Sequence, residues 1–305
     1  MYVWYLIWKG PIWKGCRHTK KKIISMTNSW RGRKEPTVSE LLLVNWLLVF
    51  LRGIPVALVV FGGLIVHSFL RIFEFVFLGS RRSWTQYLTQ IICRTSLILL
   101  GISLKIKGTP MAERGAVVAN HSSWLDIFAL NATQKIYFVA KSEVAGWPGI
   151  GWLARATGTV FIQRKVVQAH RQKSLFTDRL LAGHKLLFFP EGTSTDSLRV
   201  LPFKSSLFAA FFEENMPVNL FIQPVTVVYH APSGTNPWFY GWWGEMSFGA
   251  HLVHTLASAR QGWIELIFHQ PRAIADQQNR KQLAKLLEAD IRSSHLHHGK
   301  FDEFE

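Results

Sequence analysis

From Leu41 to Leu70 the chain is almost wholly apolar, and a run of that length must be covered by something other than water. Arg52, Gly53, Ile54 and Pro55 interrupt it. Read as one span, the run carries Arg52 close to the bilayer centre, at a cost of about 2.5–3.5 kcal/mol. Read as two helices broken at Gly53 and Pro55, the first is too short to cross and the second, Ile54 to Leu70, is marginal against the ~20 residues a crossing needs. Arg31, Arg33 and Lys34 precede the run and Arg71, Arg81 and Arg82 come after it, so positive charge is not biased to one side. A re-entrant or half-buried helical pair with both ends cytoplasmic satisfies these charges better than one crossing, and a single transmembrane helix is the second choice. Trp84 to Leu100 reads as another amphipathic helix, with Leu88, Ile91, Ile92, Thr95 and Leu99 at near-helical spacing and Arg94 opposite, suited to packing between this anchor and the domain beyond Gly101.

The net charge of +16 sharpens the membrane reading. Half of it lies in residues 1–35, where nine lysines and arginines stand against Glu35. Basic clusters flanking an apolar run fit an anionic membrane surface, and no nucleic-acid-binding module is recognisable. Residues 1–36 repeat Trp-Lys-Gly at Trp8 and Trp13, show no periodicity, and contain neither the apolar core nor the cleavage site of a signal peptide. They read as a flexible basic leader, with a start at Met26 as an equal alternative. Cys16 and Cys93 are too few for a disulfide framework or a zinc site and fit a reducing compartment.

After Gly101 the pattern changes to short apolar runs alternating with helix-like segments. Strands are expected at Ile102 to Lys107, Val117 to Asn120, Ile136 to Ala140, Thr159 to Ile162, Lys185 to Phe189, Phe221 to Tyr229 and Ile264 to His269. Helices are expected at Trp124 to Asn131, Gly149 to Ala156, Val166 to Ala182 and Phe203 to Asn215, with a covering helix from Asp276 to Ile291 capped by Asp276. Asn236 to Trp243, rich in aromatics, Gly and Pro, reads as a loop that either touches lipid or packs inward. The fold class is α/β: a mixed sheet flanked by helices over residues 101–305, behind a membrane-associated helical anchor over residues 37–100. In such sheets functional groups gather at strand ends, where His121, Arg164 and Glu191 all fall.

His121 ends an apolar strand and Asp126 stands five positions later, across the first turn of a helix. A carboxylate so placed can fix the imidazole tautomer and leave the other ring nitrogen free to take a proton. Taken alone, Asn120 and Ser122 capping a helix beside a structural histidine explains the same residues. Ser122 and Ser123 lack a Gly-x-Ser-x-Gly elbow, which argues against a serine nucleophile. His295, His297 and His298 have no matching carboxylates, so no metal site is expected.

Asn120-His121-x-x-x-x-Asp126, then Gly158 to Arg164, then Phe189-Pro190-Glu191-Gly192-Thr193, then Phe221 to Val225 running into Pro224, resembles the ordered motif set of the glycerolipid acyltransferases, and most of all the bacterial 1-acylglycerol-3-phosphate acyltransferases. The resemblance covers roughly residues 115 to 230. It implies O-acyl transfer to the free hydroxyl of 1-acyl-sn-glycerol-3-phosphate, giving phosphatidic acid, with His121 as general base and Asp126 orienting it. It also implies acceptor binding by Arg164 and by the turn Glu191, Gly192 and Thr193. The chain departs from the pattern at Ser194, where the family usually carries arginine; Lys204 is a candidate compensating charge. That departure raises lyso-ornithine lipid as an alternative acceptor. A non-catalytic membrane lipid-binding protein is the reading of another class. The donor is acyl-coenzyme A or acyl-carrier protein, used as substrate; no cofactor, metal or nucleic acid is implied. The expected location is the inner membrane with the catalytic domain on its cytoplasmic face.

Overall fold

The computed structural model describes residues 29–36, 41–79, 83–162, 176–213, 216–217 and 219–299. Eight strands form one mixed sheet: β1 (Ser103–Lys107), β2 (Gly115–Ala119), β3 (Tyr137–Lys141), β4 (Val160–Ile162), β5 (Leu186–Phe188), β6 (Phe221–His230), β7 (Trp263–Phe268) and β8 (Arg272–Ala273). Their order is β1-β7-β6-β2-β5-β3-β4, with β8 paired to β6. From β6 to β4 every neighbour is parallel, whereas β7 and β8 run antiparallel to β6. All seven strands expected from short apolar runs are present.

Alternating side chains serve two cores, as a strand's two-residue period requires. In β2, Val117 and Ala119 join one cluster with Leu97, Leu125, Leu130 and Leu266, while Ala116 and Val118 join the other with Phe208, Phe211, Leu283 and Leu287. The first core is covered by α3 (Ser83–Leu100), α4 (Leu125–Thr133) and α6 (Phe248–Ala257); α5 (Ile150–Ala156) comes after β3. The second is covered by a 3₁₀ segment (Ser205–Phe212) and α7 (Arg280–His298). The 3₁₀ segment stands where a longer α-helix was expected. The covering helix begins later than expected and is capped by Asn279, whose side chain accepts from Lys281 and Gln282 N–H at 3.0 Å, rather than by Asp276.

The anchor differs from expectation in where it turns. No break occurs at Gly53 and Pro55: α1 (Leu43–Ala57), a π-helical turn (Leu58–Gly62) and α2 (Gly63–Leu78) make one continuous helix of 36 residues, ~54 Å long at 1.5 Å per residue. The chain reverses instead at Gly79, φ +63°, and α3 returns along α2, the π turn and α1. Buried Glu74 secures the reversal by accepting from the Thr85 N–H at 3.0 Å and the Thr85 hydroxyl at 2.7 Å. Arg52, troublesome in a bilayer, faces the domain: it donates to the carbonyls of Leu256 (3.0 Å) and Ser258, at the C-terminus of α6, where a cation meets the negative end of the helix dipole. Asn45 adds a bond to the Ala257 carbonyl at 3.2 Å. The outer face of the long helix exposes Leu43, Leu47, Phe50, Leu58, Phe69 and Phe73, among others. An apolar surface of that extent marks a membrane contact.

Candidate active site

Strands β2 and β5 are adjacent and parallel, so the loops leaving their C-terminal ends meet. Asn120 fixes the first loop. Its amide donates to the Val227 carbonyl at 2.9 Å and accepts from the Val227 N–H at 2.8 Å, imitating a peptide group and tying β2 to β6 beyond their paired residues. It is a strand tie, not the helix cap that the sequence also allowed.

His121 is next, and Asp126 stands 2.7 Å from its Nδ1. The same Asp126 oxygen accepts from the N–H groups of Ser122 (2.9 Å) and Ser123 (3.1 Å), while the other accepts from the Tyr229 hydroxyl. Asp126 is fully buried. Because that carboxylate accepts from three other donors, Nδ1 of His121 takes the donor's part towards it. The ring stacks on Phe189 with centroids 4.0 Å apart, and the His121 side chain is 19% exposed. Ser122 and Ser123 are both fully buried, unlike a nucleophile that must reach substrate. Tyr229 was not foreseen; its relation to Asp126 depends on the register of β6 against β2, which no local pattern announces. Burial, with Asp126 beside it, pushes its hydroxyl well above the ordinary tyrosine range.

Glu191 lies at the end of β5 but turns inward. One oxygen accepts from the His121 N–H at 2.7 Å and the other from the Leu201 N–H at 2.7 Å, with the residue 1% exposed. Burial pushes its carboxyl up to about 8, against the opposing pull of those two bonds. The sequence suggested a carboxylate gripping an acceptor hydroxyl; in the structure it braces the His121 backbone. Gly192, φ +70°, closes the turn by donating to the Phe189 carbonyl at 3.0 Å, and a Cβ there would lie 2.7 Å from Lys204 Nζ. Lys204 is thus brought over the turn, exposed, and its N–H donates to the Pro190 carbonyl at 3.0 Å. Thr193 Oγ1 accepts from the Trp30 N–H at 3.2 Å. Arg164 lies outside the described residues. The described end of β4, Ile162, is three strand positions from β2, or ~14 Å at the usual spacing.

Three further segments frame the site. The aromatic loop packs inward: Tyr240 and Trp243 are buried, and Trp242 N–H donates to the Ser122 carbonyl at 2.9 Å. α6, the next element along the chain, was not expected. Its His251 Nδ1 accepts from the Trp124 indole at 2.9 Å. Residues 29–36, expected to belong to a flexible leader, lie instead along this rim: Trp243 Nε1 donates to the Arg33 carbonyl at 3.1 Å. Among the described residues no three His, Cys, Asp or Glu side chains converge as metal ligands.

The family model described as "Acyltransferase" matches residues 104–228, which hold both site loops. A lyso-ornithine lipid O-acyltransferase of Rhodobacter capsulatus is 50% identical over 264 residues, 87% of this chain and 96% of that protein. A 1-acyl-sn-glycerol-3-phosphate acyltransferase of Neisseria gonorrhoeae is 36% identical over 127 residues, 40% of this chain and 49% of that protein. The crystal structure of the 1-acyl-sn-glycerophosphate acyltransferase of Thermotoga maritima shares the fold, with a TM-score of 0.58 at 22% identity over 83% of this chain and 95% of that one. Sequence and fold together define an enzyme that transfers acyl groups to lysolipids, built to work in contact with a membrane. The chain belongs to the glycerolipid acyltransferase family.

Proposed function

We propose that the chain is a lyso-ornithine lipid O-acyltransferase, the alternative acceptor raised by Ser194, in preference to a 1-acylglycerol-3-phosphate acyltransferase. The carrying observation is the 50% identity to the Rhodobacter capsulatus protein over 96% of its length, against a match to the Neisseria gonorrhoeae protein that stops at 49%. In the reaction, His121 Nε2 takes the proton of the acceptor hydroxyl as its oxygen attacks the carbonyl carbon of an acyl thioester. The tetrahedral intermediate collapses, the C–S bond breaks, and the thiolate leaves with the proton returned from the imidazolium. A thioester is already activated, so no covalent enzyme intermediate is needed, and coenzyme A or acyl-carrier protein can bring it. Asp126 holds the ring, and Glu191 holds the His121 backbone. Lys204 and Thr193 face the acceptor from the Gly192 turn, with Arg164 as a further contact.

The long helix docks on the domain at both ends, α1 on α6 and α2 on α5. A helix tied along one side of a domain lies in a single leaflet with its apolar face down, which favours an interfacial anchor over a crossing. The basic surface suits the anionic inner face of the cytoplasmic membrane.

The test is acyl transfer by detergent-purified protein to lyso-ornithine lipid and, in parallel, to lysophosphatidic acid, with His121→Ala as control. Transfer to lyso-ornithine lipid that disappears in the variant is expected. Transfer confined to lysophosphatidic acid would reverse the acceptor assignment, and full activity of the variant would end the imidazole mechanism.

A further inference from the structure

Next to the catalytic turn lies a second fully buried carboxylate, Asp196, for which the reaction above has no use. Arg33 Nε donates to it at 2.8 Å, and Arg199 donates through Nε at 3.0 Å and Nη2 at 3.1 Å. Both guanidiniums are layered on indoles, Arg33 over Trp238 at 4.3 Å and Arg199 over Trp30 at 5.0 Å from the ring centroids. Asp196 itself has no room to move: a Cβ at Gly241 would come within 2.7 Å of its backbone, so the aromatic loop presses directly on it. The cluster belongs spatially to the active site, because the N–H of the preceding residue, Thr195, donates to the His121 carbonyl at 3.0 Å.

We propose that Arg33 and Arg199, tethered on Asp196, form the subsite that takes the carboxylate of the acceptor's head group. The inference rests on the acceptor assignment made above. An ornithine acylated on its α-nitrogen keeps one free carboxylate, and a guanidinium pair is a good receptor for that planar anion. Arg33 meets Asp196 through Nε alone and Arg199 leaves Nη1 unused, among the hydrogen bonds of the described residues, so terminal N–H donors remain for a ligand. The side chains are 30% and 44% exposed, open enough to be reached. Charge decides between anions. Two guanidiniums against one buried carboxylate leave a single positive charge, which matches a carboxylate and undercharges a phosphate monoester of about −1.5 to −2. The aspartate and the indoles hold both forks in place before the ligand arrives, so little side-chain entropy is lost on binding.

The experiment measures acyl transfer by full-length, detergent-purified protein to lyso-ornithine lipid, to its carboxyl methyl ester and to lysophosphatidic acid. In the unaltered enzyme the ester should show a KM about tenfold above that of the free acid, as expected when a charge-assisted bond is lost. In the Arg33→Gln/Arg199→Gln double variant, KM for the free acid should rise to within about twofold of the ester, with KM for the acyl donor unmoved. If the double variant does not fold, Arg33→Gln alone gives the same comparison, since Arg199 still neutralises Asp196. A variant that keeps the full preference for the free acid overturns the subsite while leaving the acceptor assignment intact. An unaltered enzyme that accepts only lysophosphatidic acid overturns the acceptor assignment, and the carboxylate subsite with it.

Discussion

Asp126 and Asp196 are both fully buried carboxylates beside the same strand ends, yet they are satisfied by different partners. Asp126 is held by two backbone N–H groups, a tyrosine hydroxyl and an imidazole, all from the β2–α4 turn and β6. Asp196 is held chiefly by two half-exposed guanidiniums, one of them 163 residues away in sequence, with one longer bond from the Leu198 N–H at 3.3 Å. The first arrangement fixes a direction, namely where the imidazole points. The second fixes a charge, at a place where solvent and ligand can reach it. On the subsite proposed above, orienting the base and holding the acceptor's charge fall to different carboxylates.

The comparison breaks most visibly at Asp126. Asp126→Asn keeps the volume but places an amide that can donate towards Nδ1, favouring the wrong tautomer; single-turnover acyl transfer should fall by about 10²–10⁴-fold, with acceptor KM little changed. A rise in acceptor KM of the same size would mean that Asp126, too, touches the acceptor.

A smaller effect should appear under Asp196, where buried His295 sits. Burial lowers its pKa to about 4, with the Ser197 carbonyl and Asp196 opposing the shift and Arg292 and His298 adding to it. A neutral folded histidine that charges on unfolding contributes stability fully present above the ordinary value near 6.5 and lost as pH falls through 4, about 3 kcal/mol in all. Thermal unfolding in detergent should show that acid limb, and His295→Gln should reduce it; an unchanged limb assigns the loss to buried His251, whose pKa burial also lowers to about 4, or to the carboxylates.

Lys204 gives the smallest effect. It is exposed over the Gly192 turn, so Lys204→Gln should raise acceptor KM by only about two- to threefold, since an exposed charge contributes less than ~1 kcal/mol. A tenfold rise would transfer the principal acceptor contact from the Asp196 cluster to this lysine.

The strands and His121–Asp126 were legible because their signals are local: apolar runs of strand length, and a carboxylate one helical turn past a histidine. What escaped depends on contacts between distant segments. The continuity of the helix through Pro55 comes from its docking on α6, which Arg52 and Asn45 secure. Glu191 resembles an acceptor-binding carboxylate until Leu201 and His121 are seen to claim both of its oxygens. Tyr229, and the place of residues 29–36 along the rim, depend on pairings more than 100 residues apart, which no window of sequence contains.

That rim contact has a consequence for how the enzyme comes into being. Trp30 and Arg33 leave the ribosome before the membrane helix, whereas Thr193, Asp196 and Trp243 leave it far later. Segments emerge and organise from the N-terminus onward, so the helix can settle in the lipid while the acceptor side is still unmade. However early Trp30 and Arg33 emerge, this rim closes only once residues 193–243 have been made.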